Sequence, residues 1–292
     1  MSAAWLLGAA AVDALVGDPP SWPHPVTWLS RAAAALESHL PRTRAGGTVM
    51  VLCVAGGAAA IAGLLPLAAG RAAWVVRVIL GAFALSGRSL VDHALAVARA
   101  RDLPGARAAV SRIVGRDTAA LGSSDVARAS IESIAESASD GYIAPLFWLA
   151  VGGPAAAWAY KAVNTLDSVY GHKDERNLHF GWASARADDL LNLIPARITA
   201  LMLALASGAP RKALKGVLRG AAEHPSPNAG YPEAAMAGGL GIALGGRDFY
   251  GGEPVDHPVL APWGRSAQMA DIGRALRCFV LAGLLALALT QA

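Results

Sequence analysis

The most informative feature of this 292-residue chain is how few charged residues it contains. Asp, Glu, Lys and Arg make up only 16% of the residues, whereas apolar residues make up 54%, and the mean hydropathy is +0.41. Average soluble domains contain about a quarter charged residues. This shortage of water-facing groups predicts a membrane protein and disfavours a soluble domain.

Several motifs that would identify a common enzyme class are also absent. The chain has no GxxxxGK[ST] segment, which excludes a P-loop, and no G-x-S-x-G or HExxH segment, which disfavours the corresponding hydrolases. Its seven histidines never fall at metal-ligand spacing. The two cysteines, Cys53 and Cys278, lie far apart in apolar segments. They therefore predict neither a disulfide framework nor a metal site.

The positive net charge of +4 does not indicate a nucleic-acid reader. Most basic residues are single arginines between apolar segments, without the aromatic-interleaved basic stripe of such proteins. Arginines that flank membrane spans are the simpler explanation. The first apolar run, 3–17, has no basic segment before it and contains Asp13, which favours a mature membrane segment over a cleaved signal peptide. Asp13 and Asp18 satisfy the end of this helix or contact an ion or substrate.

Apolar runs predict roughly four to six membrane segments. The run 48–70 has no charged residue and is long enough to cross a bilayer, and 72–90 pairs with it as a helical hairpin. Pro145 and the Gly-Gly-Pro at 152–154 interrupt the run 142–160. This interruption predicts either a broken or re-entrant helical pair or one straight span, and broken backbone inside a membrane normally lines a cavity.

These patterns predict an all-α fold, a polytopic membrane helical bundle with broken or re-entrant helices and a helical cytoplasmic loop. We predict one integral-membrane domain, 1–292, with a cytoplasmic helical insertion at about 88–140. The arginine content of 88–128 argues for the cytoplasmic side.

Three acidic residues, Glu132, Glu136 and Asp140, recur every four positions just before an apolar segment. On a helix they would share one face, where like charges repel unless a cation or a basic partner lies among them. Carboxylates at the mouth of a membrane protein suit Mg²⁺, especially Mg²⁺ carried by a nucleotide phosphate. A solvated acidic face that pairs with nearby arginines is the alternative.

Polar residues also lie at the end of the apolar run that follows. Lys161 and Asn164 share one helical stripe, with Tyr160 and Asp167 beside it. Such side chains are costly in lipid and should face protein or a polar cavity. They serve either a functional site or the packing of buried helices.

A further polar group begins the next apolar helix. Asp188 and Asn192 are four residues apart, and Arg186 and Asp189 are three apart. This pattern suits an edge that binds a metal phosphate or an amide, or an internal Arg–Asp ion pair. Asn228 lies in a Pro-rich turn, where it is a ligand or a structural turn residue.

Five segments of the chain together resemble the adenosylcobinamide-phosphate synthases, integral-membrane enzymes of cobalamin biosynthesis. The resemblance runs in order from Asp13 to about Tyr250, and least diagnostic are about 95–128 and the last forty residues. The segments are DALVGDPPSWPHPVTW, AESASDGYIAPLFW, YKAVNTLDSVYG, FGWASARADDLLNLIPARITAL and SPNAGYPEAAMAGGLG.

The resemblance implies an ATP-dependent ligase in the bacterial inner membrane. Its substrates would be adenosylcobyric acid and 1-aminopropan-2-ol or the O-phosphate of that amine, with ATP and Mg²⁺ bound as a substrate complex and the active face on the cytoplasmic side. Rival hypotheses are a membrane corrinoid transporter or binding protein without ligase chemistry, and an intramembrane prenyl-type transferase.

The resemblance also suggests roles for the acidic residues. Glu132, Glu136 and Asp140 would hold Mg-ATP, with Asp188 and Asp189 as the alternative metal-binding set. The predicted catalytic set is Glu136, Asp140, Lys161 and Asp167.

The remaining polar residues would contact substrate. Lys161, Lys173 and Arg186 would meet phosphates, and Asn164 and Asn192 would bind the amide-fringed rim of the corrin. The predicted substrate-binding set is Asn164, Lys173, Arg186, Asn192 and Asn228.

Overall fold

Helices dominate the computed structural model, which describes residues 4–18, 24–172 and 174–291. The helices of the first half are α1 (Ala4–Val16), α2 (Pro25–Glu37), α3 (Arg44–Ala68), α4 (Ala73–Ala84), α5 (Gly87–Ala98), α6 (Leu103–Val110) and α7 (Ser123–Ser137).

The second half continues from α7 through a π-helical turn, Ala138–Ile143. The remaining elements are α8 (Ala144–Tyr170), α9 (Trp182–Leu191), α10 (Leu193–Ala206), α11 (Pro210–Gly220), α12 (Gly230–Leu240), β1 (Leu244–Tyr250), β2 (Glu253–Leu260) and α13 (Met269–Leu289).

Within the described residues, four helical stretches are long and apolar enough to cross a bilayer. The bent pair α9 and α10 adds a fifth if it forms one broken span. These numbers agree with the sequence prediction and confirm a polytopic helical membrane protein. The four stretches are Arg44–Ala68, Gly70–Ala98, Ser123–Tyr170 and Met269–Leu289.

Helix α8 is broken inside its apolar part, as the Gly-Gly-Pro segment predicts. Gly153 has φ 65° and ψ −161°, a conformation outside the helical region that glycine adopts without a Cβ penalty. Pro154 follows and has no N–H to continue the hydrogen-bond ladder. The break therefore divides α8 into two helical segments, one on each side of Gly153.

A two-stranded antiparallel hairpin follows α12, which sequence reasoning missed. Gly241, with φ 69°, ends α12, and β1 pairs with β2 so that Tyr250 lies opposite Glu253. The loop residues Gly251 and Gly252 have φ 60° and 85°. Two consecutive positive φ angles are the requirement of a type I′ turn, so this Gly-Gly pair closes the hairpin.

The chain forms two compact units. Unit 1 comprises Met1–Arg88, Ala144–Asn192 and Thr290–Ala292, and unit 2 comprises Ser89–Ile143 and Leu193–Leu289. The single integral-membrane domain stays a prediction.

Each unit has its own apolar core. In unit 1, buried Met50 and Val54 of α3 pack with Leu166 and Tyr170 of α8 and with Phe180. In unit 2, α10 packs on α12 and α13, and α7 packs on α13. Its fully buried side chains include Ile131, Ile134, Leu203 and Met236.

Glycines bring α11 and α12 of unit 2 into close contact. A Cβ on Gly216 would lie 2.4 Å from the Ala234 carbonyl oxygen, and one on Gly238 would lie 2.4 Å from that of Lys212. Both distances are too short for any side chain. The two helices can therefore pack this closely only with glycine at these positions.

We predict that Gly238→Ala lowers the free energy of unfolding by about 1–3 kcal/mol, because the added methyl group forces α11 and α12 apart. The midpoint of thermal unfolding in detergent measures the change. Gly57→Ala on α3 is the control, since a Cβ there meets nothing within 4 Å. Equal midpoints for the two variants would contradict the prediction.

Candidate functional site

Four charged side chains form a buried network in unit 2. The Arg116 Nη1 atom donates to Glu132 Oε2 at 2.7 Å and to Asp248 Oδ1 at 2.9 Å. The Arg128 Nη1 atom lies 3.3 Å from Glu132 Oε1, and its Nη2 atom lies 2.8 Å from Asp248 Oδ1. Glu132 Oε1 also accepts the Gly245 N–H at 2.6 Å. We call these four residues the Arg–acid network.

The Arg–acid network is balanced in charge and shielded from solvent. No side chain in it is more than 14% exposed. Burial alone would lower the pKa of Arg116, but the charges of Glu132 and Asp248 outweigh burial and raise it. Each charge therefore depends on its partners, since an isolated buried charge is strongly unfavourable. The network joins α7, the loop that carries Arg116, and β1.

Two further acids, Glu233 and Glu136, lie near this network. Glu233 of α12 is 7% exposed, and its strongest charged neighbours are Glu136 and then Glu132. Burial disfavours the carboxylate and these neighbours add negative charge, so the pKa of Glu233 lies well above its ordinary value of 4.5. His224 Nε2 lies 3.7 Å from Glu233 Oε1, and burial lowers the pKa of His224. Both groups therefore favour their neutral forms.

Glu136 differs from Glu132 because its side chain is exposed. Asp140 is half-buried and lies within the π-helical turn. Within the described part of the chain, no group of three or more His, Cys, Asp or Glu side chains could hold a metal ion. The metal-binding set stays a prediction.

A second polar cluster joins α8 and α9 in unit 1. Asp188 accepts a hydrogen bond from the Asn164 amide at 3.1 Å and another from the Asn192 amide at 3.0 Å. The Tyr160 hydroxyl donates to Asn192 Oδ1 at 3.0 Å. The structure therefore brings together Asn164, Asp188 and Asn192, which the sequence placed in two separate polar groups. Part of their hydrogen-bonding capacity holds the two helices together.

Lys161 and Asp13 lie in another polar region of unit 1. Lys161 is buried, and its Nζ atom lies 3.3 Å from Ser86 Oγ. Asp13 is also buried and accepts the backbone N–H groups of Gly87 and Arg88 at the start of α5. Among the described residues, its Oδ1 atom has no hydrogen-bond partner. The alternative in which Asp13 satisfies a helix end fits this geometry, although that end is the start of α5 and not the end of α1.

Three other predicted residues have structural contacts. Arg186 forms an ion pair of 3.6 Å with Asp189, and its side chain is 69% exposed. Buried Asn228 accepts a hydrogen bond of 2.7 Å from Arg197, whose guanidinium lies over the Tyr231 ring. These contacts match the alternatives of an internal ion pair and a structural turn residue.

Asp167 and Lys173 are the last two predicted site residues. Asp167 is half-buried near the end of α8, where its carbonyl accepts the Gly171 N–H. Lys173 lies outside the described residues.

The alternative in which the acids pair with nearby arginines fits Glu132, but sequence reasoning missed Asp248, the other acid of the network. Arg116 and Asp248 are 132 positions apart, so no local pattern connects them. The available signal was the Gly-Gly pair at 251–252, which predicts a hairpin and would have placed Asp248 on a strand.

Comparison with known proteins gives a consistent result. A family model described as CobD/Cbib protein matches residues 6–279. A "Cobalamin biosynthesis protein CobD" from Geobacter metallireducens is 47% identical over 275 residues, which covers 87% of this chain and 85% of that protein. The "Cobalamin biosynthesis protein CobD" of Rhodobacter capsulatus is 45% identical over 296 residues, covering 95% and 92%.

A relative with a different name is similar along almost the whole chain. The "Cobalamin biosynthesis protein CbiB" of Salmonella typhimurium is 42% identical over 304 residues, covering 98% of this chain and 95% of that protein. No solved structure matches.

We predict that Asp248→Ala lowers the free energy of unfolding by about 3–5 kcal/mol, because it leaves both arginines with Glu132 as their one remaining acid in the buried network. Chemical unfolding followed by tryptophan fluorescence measures the loss. Asp256→Ala on the paired strand is the matched control, because Asp256 forms an exposed ion pair with Arg247. If both variants unfold like the wild type, the network does not stabilise unit 2.

The raised pKa of Glu233 predicts a pH dependence of stability. The folded protein keeps a proton that the unfolded chain releases above about pH 4.5. This contribution to stability is therefore lost as pH rises from about 4.5 towards the raised pKa. We expect Glu233→Gln to remove this part of the dependence in unfolding midpoints measured across pH. The exposed Glu223→Gln should keep the wild-type profile, and an unchanged profile in both variants would refute the assignment.

Proposed function

The chain belongs to the CobD/Cbib protein family, and on that premise we propose that it is an ATP-dependent amide ligase of cobalamin biosynthesis. It joins a carboxylate of adenosylcobyric acid to the amine of 1-aminopropan-2-ol or of its O-phosphate. The product is adenosylcobinamide or its phosphate. The observation that carries this proposal is the similarity, over nearly the whole chain, to proteins named for cobalamin biosynthesis.

The proposed reaction needs an activated acyl group, because a carboxylate is a poor electrophile. A carboxylate oxygen of the corrinoid attacks the γ-phosphorus of ATP, and ADP leaves. The amine nitrogen then attacks the acyl carbon of the resulting acyl phosphate, inorganic phosphate leaves, and the nitrogen gives up a proton. Such steps depend chiefly on positioning and on neutralisation of phosphate charge.

Glu136 is the residue that we propose for contact with Mg-ATP or with the amine. It is exposed, and it lies near the buried acid Glu233, whose raised pKa marks a perturbed site. Both ligands are cationic at the atom that would meet the carboxylate. Asp140, half-buried in the next turn, is the second proposed contact.

The Arg–acid network has a supporting role in this proposal. Glu132 has two arginines and a backbone N–H as partners, so we assign it to holding α7 in place. Because Glu136 lies one turn later on α7, a fixed α7 fixes Glu136 relative to α12. Lys161, Arg186 and the predicted amide contacts remain proposals for phosphate and corrin binding in unit 1. Asp188 and Asp189 remain the alternative metal-binding set.

The protein spans a membrane, and we propose that it acts in the bacterial inner membrane with its active face in the cytoplasm. ATP is present on that side. The arginine-rich segment 88–128 supports the orientation, because cytoplasmic loops carry an excess of basic residues.

The test is a reconstituted reaction with purified protein in liposomes, adenosylcobyric acid, aminopropanol phosphate and Mg-ATP. We expect the mass of adenosylcobinamide phosphate to appear only when ATP is present. Glu136→Gln should lower the rate by roughly 100-fold or more, because it removes a charged group that stabilises the reacting complex electrostatically. Its exposed position should leave the unfolding midpoint unchanged.

Glu253→Gln, an exposed acid on β2, is the control and should keep the wild-type rate. Corrinoid binding or transport without any amide product would contradict the ligase and favour the transporter. A Glu136→Gln variant with full activity would remove Glu136 from the site while leaving the ligase intact.

A further inference from the structure

Unit 1 contains a cavity of about 460 Å³ that none of the predicted functional residues line. It lies where α3 ends and α4 begins, and α1, α8 and Thr290 complete its walls. Trp5, Pro66 and Leu149 give it apolar walls. Among the described residues that line it, Arg77 is the one that carries a charge.

Arg77 lies inside the helical stretch Gly70–Ala98, which is apolar enough to cross a bilayer. Its side chain is half-buried. An ionisable residue within a span is costly, and it normally faces a cavity or an ionic partner. Arg71, in the short turn before α4, is exposed and does not line the cavity. Of these two arginines, only Arg77 therefore places its charge at the cavity.

The break in α8 adds polar backbone to the same cavity. Ala150, Gly153 and Pro154 line it. Since Pro154 has no N–H, the Ala150 carbonyl loses its usual intrahelical donor. A Cβ on Gly153 would meet nothing within 4 Å, so this residue borders open space. The cavity thus combines a guanidinium, which suits a phosphate, with a carbonyl acceptor, which suits a hydroxyl or ammonium group.

A second pocket, of about 360 Å³, adjoins the first because Ala62 lines both. It extends along α3 from Leu65 back to Cys53 and is enclosed by Trp28 of α2 and Trp158 of α8. Every side chain that lines it is apolar or a cysteine. Three helices, α3, α4 and α8, line both the polar cavity and this pocket. Leu67 of α3, Arg77 of α4 and Pro154 of α8 line the polar cavity. Cys53, Leu80 and Trp158 of the same three helices line the apolar pocket.

We propose that unit 1 binds one phospholipid, with its phosphate at Arg77 and one acyl chain in the apolar pocket. The order of polar and apolar lining matches an amphiphile that enters from the bilayer. Leu64 and Leu67, which lie beside the cavity on α3, are 62% and 72% exposed and would face the surrounding lipid. A headgroup with hydrogen-bond donors, such as glycerol or ethanolamine, would satisfy the carbonyl acceptor.

Native mass spectrometry of the full-length protein in detergent tests the proposal, with phosphatidylglycerol, phosphatidylethanolamine and phosphatidylcholine each titrated onto delipidated protein. We expect one lipid per chain, bound more tightly when its headgroup carries donors. Arg77→Gln should weaken binding about tenfold or more, since charge-assisted hydrogen bonds to phosphate are the strong ones.

Gly57→Phe tests the acyl-chain pocket independently of the charge. Gly57 lines that pocket and has nothing within 4 Å of a built Cβ, so the ring can fill the space without a clash. We expect a similar loss of lipid binding with an unchanged unfolding midpoint. Gly56→Phe and Arg71→Gln are matched controls, because neither residue lines either pocket.

Binding that is equal in wild type, Arg77→Gln and Gly57→Phe would overturn the proposal. An excess of inorganic phosphate distinguishes a lipid from a free anion. If millimolar phosphate displaces the lipid and Gly57→Phe binds like the wild type, the cavity takes a free anion and the lipid assignment is wrong. Retained lipid in the presence of phosphate, together with loss in both variants, supports it.

Discussion

The cost of burying charge is the constraint on which this structure depends. Few charged residues are available, yet four of them lie together in unit 2 with little exposure. Their mutual ion pairs offset the loss of hydration only because each acid meets both arginines. Such networks add little stability over an apolar core, so their presence points to a requirement for position. We propose that the positioned element in this chain is α7, which carries Glu136.

The same constraint organises unit 1 by other means. There the carboxylates of Asp188 and Asp13 each accept hydrogen bonds from neutral amide or backbone N–H donors. The two amides on Asp188 connect α8 with α9, and the backbone N–H groups on Asp13 connect α1 with the start of α5. Such hydrogen bonds are strong where water is scarce. The polar residues of these buried clusters therefore act as connections between helices.

The sequence could predict features that depend on local composition, and it failed for features that depend on distant partners. The uncharged run 48–70 predicted α3, and the Gly-Gly-Pro segment predicted the break at Gly153, because length and backbone chemistry determine both. The hairpin was missed because its strands lack a clear apolar alternation, leaving only the Gly-Gly pair as a signal. The four-residue spacing of the acids places Glu132 and Glu136 one turn apart on α7, and Asp140 lies in the π-helical turn after Ser137. That the predicted site residues act together in one site stays a prediction.

The most direct test of the positional role is to replace the whole Arg–acid network by apolar residues of similar volume, Arg116→Met, Arg128→Met, Glu132→Leu and Asp248→Leu together. Unlike the removal of one partner, this change leaves no unpaired buried charge, so unit 2 should still unfold cooperatively. The measurement is the rate of adenosylcobinamide phosphate formation by this variant in liposomes, with its unfolding midpoint recorded in parallel. A folded variant that has lost most of the ligase rate is the result expected if the network positions α7 for catalysis. A folded variant with the full wild-type rate would contradict that role.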